Sequence, residues 1–82
     1  MVKEDIIRIV KSEILQRVGI CDVELSHSLK NDLGFDSLDI VEIALDVEKA
    51  LDKAVSIQME DVDSWETVED IVNTFCGELK IA

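Results

Sequence analysis

Residues 32–52 read DLGFDSLDIVEIALDVEKALD, and the way this stretch divides decides the fold. Its opening, Asp32-Leu33-Gly34-Phe35-Asp36-Ser37-Leu38-Asp39, sets one serine between a glycine-containing turn and the start of an acidic amphipathic helix. A serine there can cap the helix or carry a covalently attached group. From about Ser37 to Asp52, at about 100° per residue, Ile40, Ile43, Ala44, Val47 and Leu51 share one sector and are expected to face a core. Leu38, Val41 and Leu45 fall roughly opposite, where a solvent-facing helix normally carries polar residues. Asp39, Glu42 and Asp46 flank that second strip on one side, Glu48 and Asp52 on the other. Two readings of the strip stay open: it packs beneath the neighbouring segment 20–36, or it docks a partner. An apolar strip rimmed by one sign of charge has the composition of a docking surface, charge steering the encounter and the strip supplying affinity.

Outward from this helix the pattern repeats. Residues 2–18 place Ile6, Ile7, Val10, Ile14 and Val18 at helical spacing, and Gly19 accepts the left-handed conformation that ends a helix. Segment 20–36 is a long connection anchored by Ile20, Val23, Leu25, Leu29, Leu33 and Phe35; its length points to a functional segment. A short helix is expected over Ser56–Asp63, with Ile57 and Val62 turned inward. The last helix is expected over Thr67–Lys80. Thr67 and Asp70 there resemble a capping box, and Val68, Ile71, Val72, Phe75, Cys76 and Leu79 form its core stripe. Gly77 weakens the final turn. The expected architecture is one all-α domain over 1–82: a four-helix bundle of three longer helices and a short third, with a long first loop.

Composition agrees, with 48% apolar residues, three Gly, no Pro and no Tyr. A chain of 82 residues buries only about 60–65% of its unfolded surface, which leaves little room for a deep enclosed active site. Nineteen acids against eight bases give a net charge of −11. Nucleic acid and anionic membranes are repelled at long range, and partners are expected to carry basic patches. The start Met1-Val2-Lys3-Glu4-Asp5 has acids where a signal peptide begins its apolar region. No apolar run approaches the ~20 residues of a membrane span. A cytoplasmic monomer is the expectation. Cys21 and Cys76 lack metal-ligand spacing and are expected to be reduced.

Catalysis by the chain itself finds no support. Ser37 lacks the Gly-x-Ser-x-Gly elbow, and activating a serine requires a positioned base. The sole histidine, His27, lies ten residues upstream in the long loop. Asp61 and Asp63 could begin a calcium loop, but Trp65 and Val72 occupy its fifth and twelfth positions, where oxygen ligands belong. No metal site is expected.

The octet, with Leu33-Gly34 before Asp36-Ser37-Leu38, resembles the phosphopantetheine attachment site of acyl carrier proteins. The whole chain resembles the free-standing, type II members of that family in length, acidity and helix order. The resemblance implies 4′-phosphopantetheine on Ser37, transferred from coenzyme A by a phosphopantetheinyl transferase. Free N–H groups and the dipole at a helix start favour an attached phosphodiester there. It further implies an acyl carrier rather than an enzyme. Partner synthases, reductases, dehydratases or acyltransferases would dock on Asp36, Leu38, Asp39, Val41, Glu42, Leu45 and Glu48. An acyl pocket would be lined by Ile43, Val47, Ile57, Val62 and Trp65. Three departures leave the pathway open among fatty-acid, lipid, polyketide and aminoacyl routes: two extra residues between Leu51 and Ile57, Gln58 where proline is usual, and the bulk of Trp65. An unmodified interaction module that keeps the fold is the alternative.

Overall fold

Four amphipathic helices bury their apolar stripes against one another in the computed structural model, which describes residues 2–19, 22–52, 55 and 57–80. They are α1 (Lys3–Val18), α2 (Ser37–Ala50), α3 (Met59–Ser64) and α4 (Val68–Glu78). Helix α1 packs on α4 and α2, and α3 packs on α2. Among the described residues the sole β feature is an isolated antiparallel bridge between Ser28 and Thr67. The expected all-α bundle is the observed one.

The core follows the stripes read from the sequence, except that Ile7, Val18 and Leu79 are only partly buried against it. Ile6, Val10 and Ile14 of α1, Ile40, Ile43, Ala44 and Val47 of α2, and Val68, Ile71, Val72, Phe75 and Cys76 of α4 are buried. Each large apolar side chain so enclosed contributes about 1.5–3 kcal/mol. The long connection adds Val23, Leu29, Leu33 and Phe35 to the same cluster. Gly19 ends α1 at φ 69°, its N–H donating to the Leu15 carbonyl at 2.8 Å, as its conformational freedom allows.

Segment 22–36 is irregular but tied down. Leu29 is fully buried and donates its N–H to the Glu66 carbonyl at 2.9 Å. In return, α4 donates to the loop: Val68 N–H to the His27 carbonyl at 3.2 Å and Glu69 N–H to the Leu25 carbonyl at 2.9 Å. The next donor, Asp70 N–H, reaches Thr67 Oγ1 at 3.3 Å, while Asp70 accepts from the Thr67 N–H at 3.0 Å. The expected capping box is therefore present. Burial pushes the Asp70 carboxyl up, but the N–H groups of Glu66 and Thr67 outweigh it and hold the group below its ordinary value.

The third helix departs from expectation at its start. Ser56, its expected first residue, lies outside the described residues, and α3 begins at Met59. Ile57 precedes it with its N–H donated to the Glu48 carboxylate at 3.4 Å, and the Gln58 carbonyl accepts the first-turn bonds from Asp61 and Val62. A backbone N–H drawn sideways to α2 leaves the turn to begin after it. Helices α2 and α4 each stop two residues short of the expected ends, where Asp52 and Lys80 adopt positive φ of 56° and 58°. Gly77 stays helical. Cys21 lies outside the described residues; Cys76 is a buried free thiol.

Thr67 thus secures both α4 and the loop bridge. Thr67→Ala is expected to lower stability by about 0.5–2 kcal/mol, read as a lower urea midpoint at unchanged slope. An unmoved midpoint would remove Thr67 from the cap.

Candidate functional site at the start of the second helix

Gly34 turns the chain at φ 71°, which lets Leu33 and Phe35 bury their side chains while Asp36 and Ser37 face solvent. The helix cap is Asp36, not Ser37. Asp36 Oδ1 accepts from the Asp39 N–H at 2.9 Å, and Asp39 Oδ2 accepts from the Asp36 N–H at 3.1 Å. This reciprocal pair makes Ser37 the first residue inside α2. The cap reading of the serine is thereby corrected: both residue types cap well, and the aspartate one position earlier has the partner that closes the box. The Asp39 N–H holds the Asp36 carboxyl below its ordinary value against the opposing effect of desolvation.

With the capping role taken, the Ser37 hydroxyl is exposed and has no hydrogen-bond partner among the described residues. It opens on a shallow cleft lined by Lys30, Ile40, Val62 and Asp63. The two well-capped helices differ at their starts. The first two N–H groups of α4 are taken by loop carbonyls; the Ser37 N–H has no such partner among the described residues. A helix start of this kind, with a lysine beside it, fits an anionic group. No base attends Ser37: His27 is occupied locally, its Nδ1 accepting from the Glu24 N–H at 3.0 Å.

The expected docking residues divide. Leu38 and Leu45 stand in solvent at 66% and 50% exposure, so they do not pack beneath the loop. Val41 is half-buried and packs against the core. The acids do not simply face water. Arg17 of α1 reaches across to α2, with Nη2 at 2.6 Å from Glu42 and 3.6 Å from Asp46, and Nη1 at 3.7 Å from Asp39. Glu48 accepts from Ile57 and Asp36 caps the helix. The sequence reading missed Arg17, because nothing in a helical period shows which residue of one helix meets another.

Of the expected acyl-pocket residues, Ile43, Val47, Val62 and Trp65 are buried in one cluster, and Ile57 packs against it. Trp65 is pinned: its indole N–H donates to Thr74 Oγ1 at 2.8 Å, and its ring lies 6.2 Å from that of Phe75. Only Val62 of the five lines the cleft beside Ser37. Among the described residues no group of His, Cys, Asp or Glu is placed to hold a metal ion, and no helix is long and apolar enough to cross a membrane. Lys30 and Asp63, which do line the cleft, were also missed. The available signal was charge spacing: between Arg17 and Lys49 the sequence carries eight acids and one base, Lys30.

The family described as phosphopantetheine attachment site matches residues 4–75, from the first turn of α1 to Phe75 of α4. The chain is 34% identical over 74 residues to the acyl carrier protein of Exiguobacterium sp. strain AT1b, covering 88% of this chain and 91% of that one. It is 32% identical over 75 residues to the acyl carrier protein of Exiguobacterium sibiricum, covering 89% and 92%. It is 34% identical over 73 residues to that of Thermotoga maritima, covering 87% and 88%. Match and fold together define a phosphopantetheine-bearing carrier, not an enzyme. The chain belongs to the acyl carrier protein family, whose prosthetic group is covalently attached and whose partners are synthase-type enzymes.

The Asp36 cap predicts a pH dependence. Its folded-state carboxyl ionises below the ordinary 3.8, so the charge-dependent part of its stabilisation is present above that value and lost as pH falls through the folded one. Asp36→Asn keeps a capping oxygen but not the charge. The variant is expected to be less stable than the parent at neutral pH, with the gap closing on acidification below 3.8. Parallel denaturation curves separated equally at both pH values would contradict this.

Proposed function

We propose that Ser37 Oγ is the attachment point of 4′-phosphopantetheine, and that the chain holds acyl groups on it for enzymes of fatty-acid or related lipid or polyketide biosynthesis. The observation that carries this is the exposed hydroxyl at the first residue of α2, without a hydrogen-bond partner among the described residues and behind a cap supplied by its neighbour. The oxygen is free to bond to phosphorus without loss of the cap. The arm supplies a terminal thiol on which the acyl group rides as a thioester. Among the described residues no base attends Ser37, so a phosphopantetheinyl transferase removes the hydroxyl proton. Oγ bonds to the pantetheine-bearing phosphorus of coenzyme A while the pyrophosphate P–O bond breaks, releasing adenosine 3′,5′-bisphosphate. Family membership favours this modified carrier over an unmodified module; an aminoacyl cargo is the alternative among carriers. This reading keeps the cytoplasmic monomer expected from the sequence.

Docking is assigned to Asp36, Leu38, Asp39, Val41, Glu42, Leu45 and Glu48, with two adjustments. The exposed apolar contact is chiefly Leu38 and Leu45, since Val41 is already half spent on the core. Arg17 competes with a partner's basic side chains for Asp39, Glu42 and Asp46. Exposed pairs of this kind are worth only about 0.2–1 kcal/mol each, so an incoming arginine can displace it. Ile43, Val47, Ile57, Val62 and Trp65 are the residues that must part to shelter an acyl chain. Their shared cluster supports that role, and Trp65, held by Thr74, acts as its fixed wall.

Co-expression with a transferase is expected to add the mass of phosphopantetheine to the parent and none to Ser37→Ala. Because Asp36 is the cap, the alanine variant should keep nearly full stability. The same increment on the alanine protein would refute the assignment.

Charge reversal tests the docking face. Glu42→Lys with Glu48→Lys is expected to slow association with the transferase and flatten its salt dependence, since rim charges act mainly on encounter rate. Arg17→Gln is expected to raise that rate. If neither change moves the rate at low ionic strength, docking occurs elsewhere.

A further inference from the structure

We propose that Lys30 and the polar groove beside it form a resting site for the phosphopantetheine arm, the Lys30 ammonium holding the phosphodiester next to Ser37. This rests on Ser37 being the attachment residue. The first argument is charge. A phosphodiester on Ser37 brings one more negative charge to a chain of net −11, at a point already flanked by Asp36, Asp39 and Asp63. The helix dipole offsets part of that repulsion. Arg17 is engaged by three carboxylates, which leaves Lys30 as the cation of the cleft. Among the described residues Lys30 forms no ion pair with a carboxylate.

Geometry supplies the second argument. Lys30 and Asp63 line the cleft at Ser37 and also a larger open groove of about 430 Å³, whose remaining walls are Ser28, Asn31 and Glu66. The cleft and the groove share this pair as lining. The groove lies along the long loop and the α3–α4 connection, not along the Leu38–Leu45 strip. Its base is fixed, because Leu29, fully buried beside Lys30, donates to Glu66 and accepts from the Phe35 N–H at 2.9 Å. The Asp32 N–H donates to the Ser28 carbonyl at 3.0 Å, and Ser28 Oγ accepts from the Asn31 N–H at 3.1 Å. Lys30 is therefore presented from a closed turn.

The third argument is chemical match. Beyond its phosphodiester the arm carries a hydroxyl and two amides, which need both donors and acceptors. Asn31 offers an amide, the Ser28 hydroxyl retains its proton for donation, and the carboxylates of Asp63 and Glu66 accept. Lys30 lines the cleft at Ser37 together with Asp63 and the groove together with Asp63 and Glu66, so one cation serves the phosphodiester and these acids alike.

The test uses the holo protein. Intact mass first records whether the parent, Lys30→Gln, Lys30→Arg and a distant control, Lys11→Gln, carry the arm. The phosphorus-31 resonance of the phosphodiester and the backbone amide shifts between apo and holo forms are then compared. The expected result is a set of apo–holo shifts at Ser28, Asn31, Asp63 and Glu66 in the parent. Those shifts are lost in Lys30→Gln, retained in Lys30→Arg and unchanged in the control, and the phosphorus resonance moves only in Lys30→Gln. An arm present by mass, with identical phosphorus spectra in parent and Lys30→Gln and shifts confined to residues 36–38, overturns the resting site and leaves the Ser37 assignment standing. A parent that gains no mass overturns both.

Discussion

The backbone exchange between the long loop and the start of α4 is the constraint on which the site depends. Leu29 donates to Glu66, and Val68 and Glu69 donate back to His27 and Leu25. A helix start has N–H groups without intrahelical partners; here the loop supplies carbonyls for two of them, so neither partner is complete alone. The exchange fixes Leu29 in the core and places Lys30 at its edge. Through the Phe35 bond to the Leu29 carbonyl it also sets where α2 begins. An irregular segment that spans 22–36 would otherwise have little reason to hold one path, since fixing each residue costs about 1–2 kcal/mol in conformational entropy.

The contrast between α2 and α4 follows from that constraint. Both carry reciprocal side-chain caps built on an aspartate three residues into the helix region, Asp39 for one and Asp70 for the other. Of the two, only α4 has loop carbonyls laid over its start among the described residues. The chain therefore closes the end that serves architecture and leaves open the end that bears the serine.

Much of this was legible because it is local or periodic. The buried stripes of α1, α2 and α4, the Gly19 terminus and the Thr67 box each follow from spacing or from one residue's conformational preference. The cap reading of Ser37 could not be separated from the attachment reading because serine and aspartate are near-equal caps, and the choice rests on which has a reciprocal partner in three dimensions. The start of α3 lies at Met59, and the tie that holds the preceding Ile57, its N–H donated to Glu48 nine residues away, is a tertiary contact that no local pattern shows. Arg17 over α2 and Lys30 beside Asp63 are tertiary facts, visible in the sequence only as lone bases amid acids. The family resemblance reached Ser37 through its motif, and it carried no information on these two cations.

Those two cations change how the charge of the protein acts. A net charge of −11 describes the long-range field, which recruits basic partners from a distance and weakens with salt. At contact range Arg17 partly neutralises one flank of α2, while Lys30 lines the cleft at the serine. On the docking face proposed above, a basic partner would meet a patterned surface: the exposed Leu38–Leu45 strip, acids already shared with an arginine, and a serine beside a lysine. Each partner contact on the Arg17 flank exchanges one ion pair for another, so its net gain is small and reversible. The delivery between enzymes proposed above would be served by that exchange. Lasting affinity would instead come from burying Leu38 and Leu45, whose exposure marks where a partner's apolar contact has most to gain.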